Sequence, residues 1–318
     1  MTAAQRRRPI VLDCDPGHDD ALAILLALAS PGELKVAAVT AVAGNVPLAL
    51  TEVNARKVCA VAGRTDVPVY AGCTRPLVRP LETAEYVHGD TGLDGVELPA
   101  PAAPLAPGHA ADAIVEIVRS RPAGTVTLCP TGPLTNVALA MIKAPDIVPR
   151  LKEIVLMGGA IGLGNTTPSA EFNVYVDPHA ARVVFESGAG LTMIGLEATH
   201  QALCTPARLE AIRALGTEVG RVVTGWLEFY NRYDRRLADG EPGGPLHDPC
   251  VIAYLLRPEL FAGRRCRVDI ETTGELTVGR TVVDWRGRLG LPPNATVIDR
   301  LADADGFFAL LTERLGRL

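Results

Sequence analysis

The stretch "PIVLDCDPGHDDALAILLALAS", residues 9–30, decides how the rest of the chain is read. A short apolar run ends in Asp13-Cys14-Asp15, Pro16-Gly17 turns the chain, and apolar residues then return at helical spacing. That pattern predicts a strand, a tight turn and a helix. The same unit recurs outward from it. "LKVAAVTAV" at 34–42 reads as a second strand, and "LALTEVNARKVCAVAG" at 48–63 as a helix ended by Gly63. Further strands are predicted at 67–70, 125–130, 153–159 and 191–196, with helices in "DAIVEIVRS", "LTNVALAMIKA" and "PHAARVVFES" between them. Apolar strands alternating with helices predict an α/β fold with a mostly parallel central sheet and helices on both faces.

Residues 206–236 read mainly as helix, as do "HDPCVIAYLL" and the closing "DGFFALLTERL". "CRVDIETTGELTVGRTVVDWRG" at 266–287 alternates as strands about a Thr-Gly turn, a small β embellishment near the C-terminus. The proline-rich 98–108 reads as a loop, because the alternation resumes beyond it. One domain spanning 1–318 is the expectation.

Bulk properties narrow the function. With 318 residues, 48% hydrophobic and 21% charged, the chain can bury a large core. A net charge of -5 and no broad basic surface argue against nucleic acid as a partner. Arg6, Arg7 and Arg8 read as a solvated tail. No secretory signal is visible, and the longest apolar run, at 21–29, is far short of the ~20 residues of a membrane span. The cysteines are odd in number and form no CxxC pair, so neither disulfides nor zinc are expected. A reduced, cytoplasmic protein follows.

Polar residues collect where predicted strands end, which is where open α/β sheets bind ligands. Asp13, Asp15, Asp19 and Asp20 follow the first strand and Asn45 the second; Thr131 and Asn136 follow the strand at 125–130. "MGGAIGLGNTTPSAEFNVYVDP" brings Asn165, Glu171, Asn173 and Asp177, and "PLHDPC" brings His247 and Asp248. No nearby Lys or Arg offsets the four aspartates, so a hard divalent cation is the natural counter-charge. Helix capping by Asp19 explains one carboxylate and leaves the others. Glu171 and Asn173, two apart, suit a polyhydroxylated ligand such as a sugar. Asn45 and Thr131 are equally readable as turn residues, Asn136 reads as a helix-start residue rather than a ligand, and His247-Asp248-Pro249 is equally readable as an ordinary helix start. His88 is open to either reading, whereas His109, His179 and His200 carry no pattern and are taken as structural.

"DCDPGHDDA", "AVAGN", "PTGPLTN", "VLMGGA…GN…AEFN…DP", "THQAL" and "LHDPC", in this order, resemble the inosine-uridine-preferring nucleoside hydrolases from about Pro9 to the terminal helix. The resemblance implies a Rossmann-like nucleoside hydrolase fold and calcium-dependent cleavage of the N-glycosidic bond of ribonucleosides, giving ribose and free base. By motif, Asp15, Asp20, Asp248 and the Thr131 carbonyl would hold Ca2+, and Asp15 would be the general base for the attacking water. Asp19 and Asn173 would meet the ribose 2′-hydroxyl, Asp248 the 3′-hydroxyl, and Asn165 and Glu171 the 5′ side. Asn45 would position water and ribose, Met157 would pack by the sugar and Phe172 by the base. His247 would activate the leaving group. The motifs look most like pyrimidine-preferring bacterial members, with His88 and Tyr230 or Tyr233 near the base and a homodimer or homotetramer as the assembly. The glycine-rich 235–245 reads as a mobile lid. Two other readings compete: an aspartate-nucleophile phosphatase, in which Gly17 occupies the place of the required Thr or Val, and a calcium-dependent nucleoside-binding protein without turnover.

Overall fold

The computed structural model describes residues 7–101, 103–234 and 242–318, without the side chains of Tyr233 and Asp234. The chain opens with β1 (Arg8–Cys14), α1 (His18–Leu28), β2 (Leu34–Ala41), α2 (Leu48–Val61), β3 (Val69–Ala71) and α3 (Glu85–His88). It continues with α4 (Ala110–Arg119), β4 (Val126–Pro130), α5 (Thr135–Lys143), β5 (Leu151–Met157), α6 (Phe172–Val176), α7 (Pro178–Phe185) and β6 (Leu191–Ile194). After α8 (Leu196–Thr199) come β7 (Leu203–Cys204), α9 (Pro206–Arg213), α10 (Glu218–Asp234), β8 (Gly244–Pro245) and α11 (Pro249–Leu256). The final elements are β9 (Phe261–Cys266), β10 (Val268–Ile270), β11 (Thr281–Val283), β12 (Ala295–Leu301) and α12 (Ala304–Leu315).

Eight strands form the central sheet in the order β3-β2-β1-β4-β5-β6-β12-β9. All neighbours run parallel except β9, which is antiparallel to β12. Strand alternation assigns the two faces. Ile10, Leu12 and Cys14 of β1 pack with residues of α1, α2, α10, α11 and α12, whereas Val11 packs with α4, α5 and α7. The same division continues in β5, where Val155 and Met157 face one way and Ile154 and Leu156 the other. Continuous apolar strands were the signal for this two-sided burial, and the expected α/β architecture holds.

The C-terminal strands differ from expectation. β9 and β12 extend the main sheet, and the three-residue β10 and β11 form a separate antiparallel pair, as β7 and β8 do earlier in the chain. Thr273-Gly274 lies in the loop between them rather than at a tight hairpin turn. "ATVIDRL" carries Thr296, Asp299 and Arg300, which dilute the apolar signal that marks the other buried strands.

The topology also locates the site. From β1 the chain first builds β2 and β3 on one side, then returns to place β4 on the other. The β1–β4 boundary is therefore the switch point, where connections diverge and leave a crevice at the carboxyl ends of the strands.

Candidate active site

Asp15 leaves the end of β1 and Thr131 the end of β4, side by side at the switch point, because Thr131 N–H donates to the Asp13 carbonyl at 2.8 Å. Two glycines leave room for the Asp15 carboxylate. A Cβ on Gly44 would stand 2.0 Å from its Oδ2, and one on Gly132 2.3 Å from its Oδ1. Oδ2 accepts the Asn45 backbone N–H at 2.7 Å, while Oδ1 is buried with no hydrogen-bond partner.

Asp20 lies on the first turn of α1. Its Oδ2 accepts the Gly17 N–H at 3.1 Å and the Asn45 amide at 3.2 Å, and its Oδ1 accepts the Thr131 hydroxyl at 2.7 Å. A carboxylate at this position reaches back over the helix start and meets the positive end of the helix dipole. Asp248 arrives from the other end of the chain, immediately before Pro249 opens α11, which packs on α1. Asp19, Asp20 and Asp248 are buried, with carboxylate oxygens all within 4.8 Å of one another.

So much buried acid cannot stay ionised unaided. Burial first, then the Asp20 charge, pushes Asp19 up to about 7. Burial and Asp20 raise Asp15 well above the usual carboxylate range, and burial and Asp19 do the same to Asp248. Asp20 is raised by burial despite its hydrogen bonds. Each shift records the cost of a desolvated negative charge beside others. No Lys or Arg is among the described residues lining the cavity above them. An orphaned Asp15 oxygen, oxygen-only donors and missing positive charge fit a hard divalent cation. Asp19, Asp20 and Asp248 are the described carboxylates close enough together to share it, and Asp15 and Thr131 adjoin Asp20 through Asn45 and the Thr131 hydroxyl.

Asp13 does not join this group. Its Oδ1 is held by the Thr40 hydroxyl at 2.6 Å and the Asn136 amide at 2.8 Å, away from the Asp19–Asp20–Asp248 cluster. Burial pushes it up to about 7 as well. Asn136 is a structural clamp, also binding the Ala41 carbonyl and Cys73 N–H.

Asp19 and Asp248 line the floor of a cavity of about 680 Å³, with Asp20 against both. Its polar wall is the segment after β5. Glu171 caps α6, accepting N–H groups from Asn173 at 2.8 Å and Val174 at 3.2 Å, and also the Gly159 N–H at 2.8 Å. Burial raises its carboxyl. The Asn173 amide donates to the Thr131 carbonyl at 2.7 Å and the Met157 carbonyl at 3.3 Å, which fixes its nitrogen and leaves Oδ1 as an acceptor for a ligand. Asn165 sits on the exposed loop, accepting the Phe172 N–H at 3.0 Å. Met157, Asn165 and Phe172 all line the cavity, as do Asn45 and Thr131.

Histidines and aromatics form the opposite wall. His247 lines it with Nδ1 2.7 Å from the Thr199 hydroxyl, and desolvation, with His200 beside it, lowers it to about 3. His200, expected to be structural, lines the cavity too, with its ring edge-on to His247 at 5.6 Å. Only the tertiary meeting of α8 with the turn before α11 reveals it. His88 and Tyr230 line the cavity. Behind His88 lies His18, an unsuspected residue whose sequence signal is a lone histidine heading a buried helix. Of the remaining histidines, His109 caps α4 by accepting the Ala111 N–H. The Tyr233 side chain, Arg6 and residues 235–241 of the expected lid lie outside the described residues.

A family model described as inosine-uridine preferring nucleoside hydrolase matches residues 10–309. An uncharacterized protein of Schizosaccharomyces pombe is 48% identical over 310 residues, covering 97% of this chain and 99% of the relative. A pyrimidine-specific ribonucleoside hydrolase, RihA, of Shewanella sp. (strain ANA-3) is 49% identical over 308 residues, covering 97% and 96%. Among solved structures, a purine-preferring ribonucleoside hydrolase from Gardnerella vaginalis superposes with a TM-score of 0.90 at 33% identity, over 97% of this chain and 98% of the other.

Proposed function

This chain belongs to the inosine-uridine preferring nucleoside hydrolase family, and on that premise we propose that it is a calcium-dependent, pyrimidine-preferring ribonucleoside hydrolase acting through the residues gathered at the β1–β4 switch point. The observation that carries this reading is the buried, oxygen-only carboxylate cluster, with an orphaned Asp15 oxygen, beside a cavity lined by Asn165, Glu171, Asn173 and histidines. Relatives at 47–49% identity are named pyrimidine-specific, whereas the purine-preferring enzyme shares 33%. That difference supports uridine and cytidine as substrates.

Asp15, Asp20, Asp248 and the Thr131 carbonyl would hold Ca2+, whose tolerance for many oxygens in irregular geometry suits the set better than magnesium's strict octahedron. When bound, the cation orients a water and lowers its pKa. Asp15 accepts the proton of the attacking water, its other oxygen held by Asn45. Asp19 and Asn173 Oδ1 take the ribose 2′-hydroxyl, Asp248 the 3′-hydroxyl, and Asn165 and Glu171 the 5′ side. Glu171 does so with lone pairs left after its three backbone contacts. Met157 packs by the sugar, and Phe172 and Tyr230 by the base. Cleavage develops positive charge on the sugar ring, which the surrounding carboxylates stabilise. His247 is neutral at physiological pH, so it engages the base first by hydrogen bonding; with Nδ1 at Thr199, Nε2 is its free nitrogen. The chain is read as one domain, working in the cytoplasm as a homodimer or homotetramer. Among the described residues no helix is long and apolar enough to cross a membrane.

Chromatography of base released from uridine, cytidine, inosine and adenosine, with and without chelation, tests the reading. Release that stops on chelation and returns with calcium, fastest from the pyrimidines, is expected. Nucleoside binding without any release would replace hydrolysis with a binding role.

A further inference from the structure

His88 reaches the cavity from the end of α3 with one ring edge pressed against the start of α1. A Cβ at Gly17 would stand 2.6 Å from both its Nδ1 and its Cε1. Two groups of His18 meet Nδ1: the backbone N–H at 3.3 Å and the ring Nδ1 at 3.2 Å. The other ring nitrogen of His18 is 2.7 Å from the Asp94 carbonyl, which can only accept, so His18 Nε2 carries a hydrogen.

Two arrangements remain for a neutral His18. Either His88 Nδ1 donates to His18 Nδ1 and the first N–H of α1 is left facing another N–H, or His88 Nδ1 is bare and accepts that N–H. Orphaned buried backbone N–H groups are rare, and an unused imidazole lone pair is the cheaper loss. The positive end of the eleven-residue α1 also favours a lone pair at this point. A charged His18 would donate to His88 Nδ1 and give the same result, so the outcome is independent of His18's charge.

Resting on the hydrolase reading above, we propose that the first backbone N–H of α1 holds His88 in the tautomer protonated on Nε2, so that His88 donates a hydrogen bond to an acceptor atom of the base, a pyrimidine carbonyl oxygen. His18 is thus a positioning residue acting mainly through its main chain, with its ring stacked on His88 (centroids 5.4 Å apart) to fix the plane.

The direct test is the long-range 15N–1H spectrum of the calcium-saturated full-length protein labelled at histidine, with His88 assigned through His88→Gln. A bare Nδ1 and protonated Nε2 are expected; a protonated Nδ1 overturns the proposal. Two variants separate main chain from side chain. His18→Ala keeps the N–H, while replacing the Gly17–His18 amide by an ester, with the α-hydroxy analogue of histidine at 18, removes the donor without adding an atom against His88 Nδ1, 3.3 Å away. The ester variant is expected to lose the single tautomer and to fall about tenfold below His18→Ala in kcat/KM for uridine, the effect of one hydrogen bond. Equal kcat/KM and unchanged spectra in the two variants would refute the main-chain role. If neither releases base and the parent does not either, the hydrolase reading fails, while the spectrum still decides the tautomer.

Discussion

Gly44→Ala isolates the placement of Asp15 from its chemistry. The backbone of Gly44 is ordinary, since it is absent from the glycines with positive φ, so alanine is admissible there on backbone grounds. The added Cβ, however, would lie 2.0 Å from Asp15 Oδ2, whereas ordinary van der Waals contact begins near 3.4 Å. Pro133 Cδ at 2.9 Å closes the other side, so the carboxylate must give way by more than an ångström. That movement breaks the 2.7 Å bond from Asn45 N–H, worth about 1.5–3 kcal/mol for a charged acceptor. A misplacement of about 1 Å costs roughly 100-fold in rate, or about 2.7 kcal/mol, and the two figures agree. We expect kcat/KM for uridine to fall about 100-fold with the circular dichroism spectrum retained. Gly32→Ala, with nothing within 4 Å of its Cβ, should match the parent. In an Asp15→Ala background the Gly44 change should cost almost nothing further, because both act on one group. A Gly44→Ala protein within threefold of the parent, or full additivity in the double variant, would refute the reasoning.

Other perturbations test the remaining groups. Asp19 titrates near 7 when folded, above its unfolded value near 3.8, so the native chain holds the extra proton and loses stability as pH rises through that window. His18, lowered to about 4, and His247, lowered to about 3, act in the opposite sense below about 6.5. The chelated protein should therefore melt at lower temperature as pH goes from 6.5 to 8, and calcium should flatten that slope; identical slopes in scanning calorimetry would count against a cation among these carboxylates. His247→Ala should slow uridine more than p-nitrophenyl riboside, whose leaving group needs little help, and equal losses would assign His247 another role. Thr281→Val should raise KM severalfold at nearly constant kcat, because the Thr281 hydroxyl binds both the N–H (2.9 Å) and the carbonyl of Ala160, at the root of the loop bearing Asn165. An unchanged KM would show that the loop holds itself.

Much of this was legible in the sequence because the physics was local. Strand period and helix period differ, so β1 and α1 could be read directly, and polar residues at strand ends stand out against an apolar sheet. Asp15, Asp20 and Asn45 meet because short turns after β1 and β2, two adjacent strands, carry them there. Asp13 was harder: two residues before Asp15, it looks like a member of the same cluster, yet Asp15 lies beyond the strand end and the chain has already turned. The phosphatase reading weakens for the same reason, as Asp13 is buried against Thr40 and Asn136. His200 and His18 depend on partners supplied by distant elements, and no spacing announces such meetings. β12 escaped notice because its polar residues blurred the pattern.

β12 also bears on how the protein is made. It follows every other strand of the central sheet in chain order, yet it sits inside that sheet, between β6 and β9. Until it emerges, the growing chain has no neighbour for the free side of β6 and none for β9. Two open edges of unpaired N–H and C=O groups then await one strand, and exposed edges are templates for aggregation. Loss of residues 295–318 would therefore threaten solubility before it touched chemistry, since β1 and β4, where Asp15 and Thr131 stand, lie on the other side of β5 and β6. A ribosome stalled short of Ala295 would present chaperones with a chain in which β6 and β9 lack the strand that joins them.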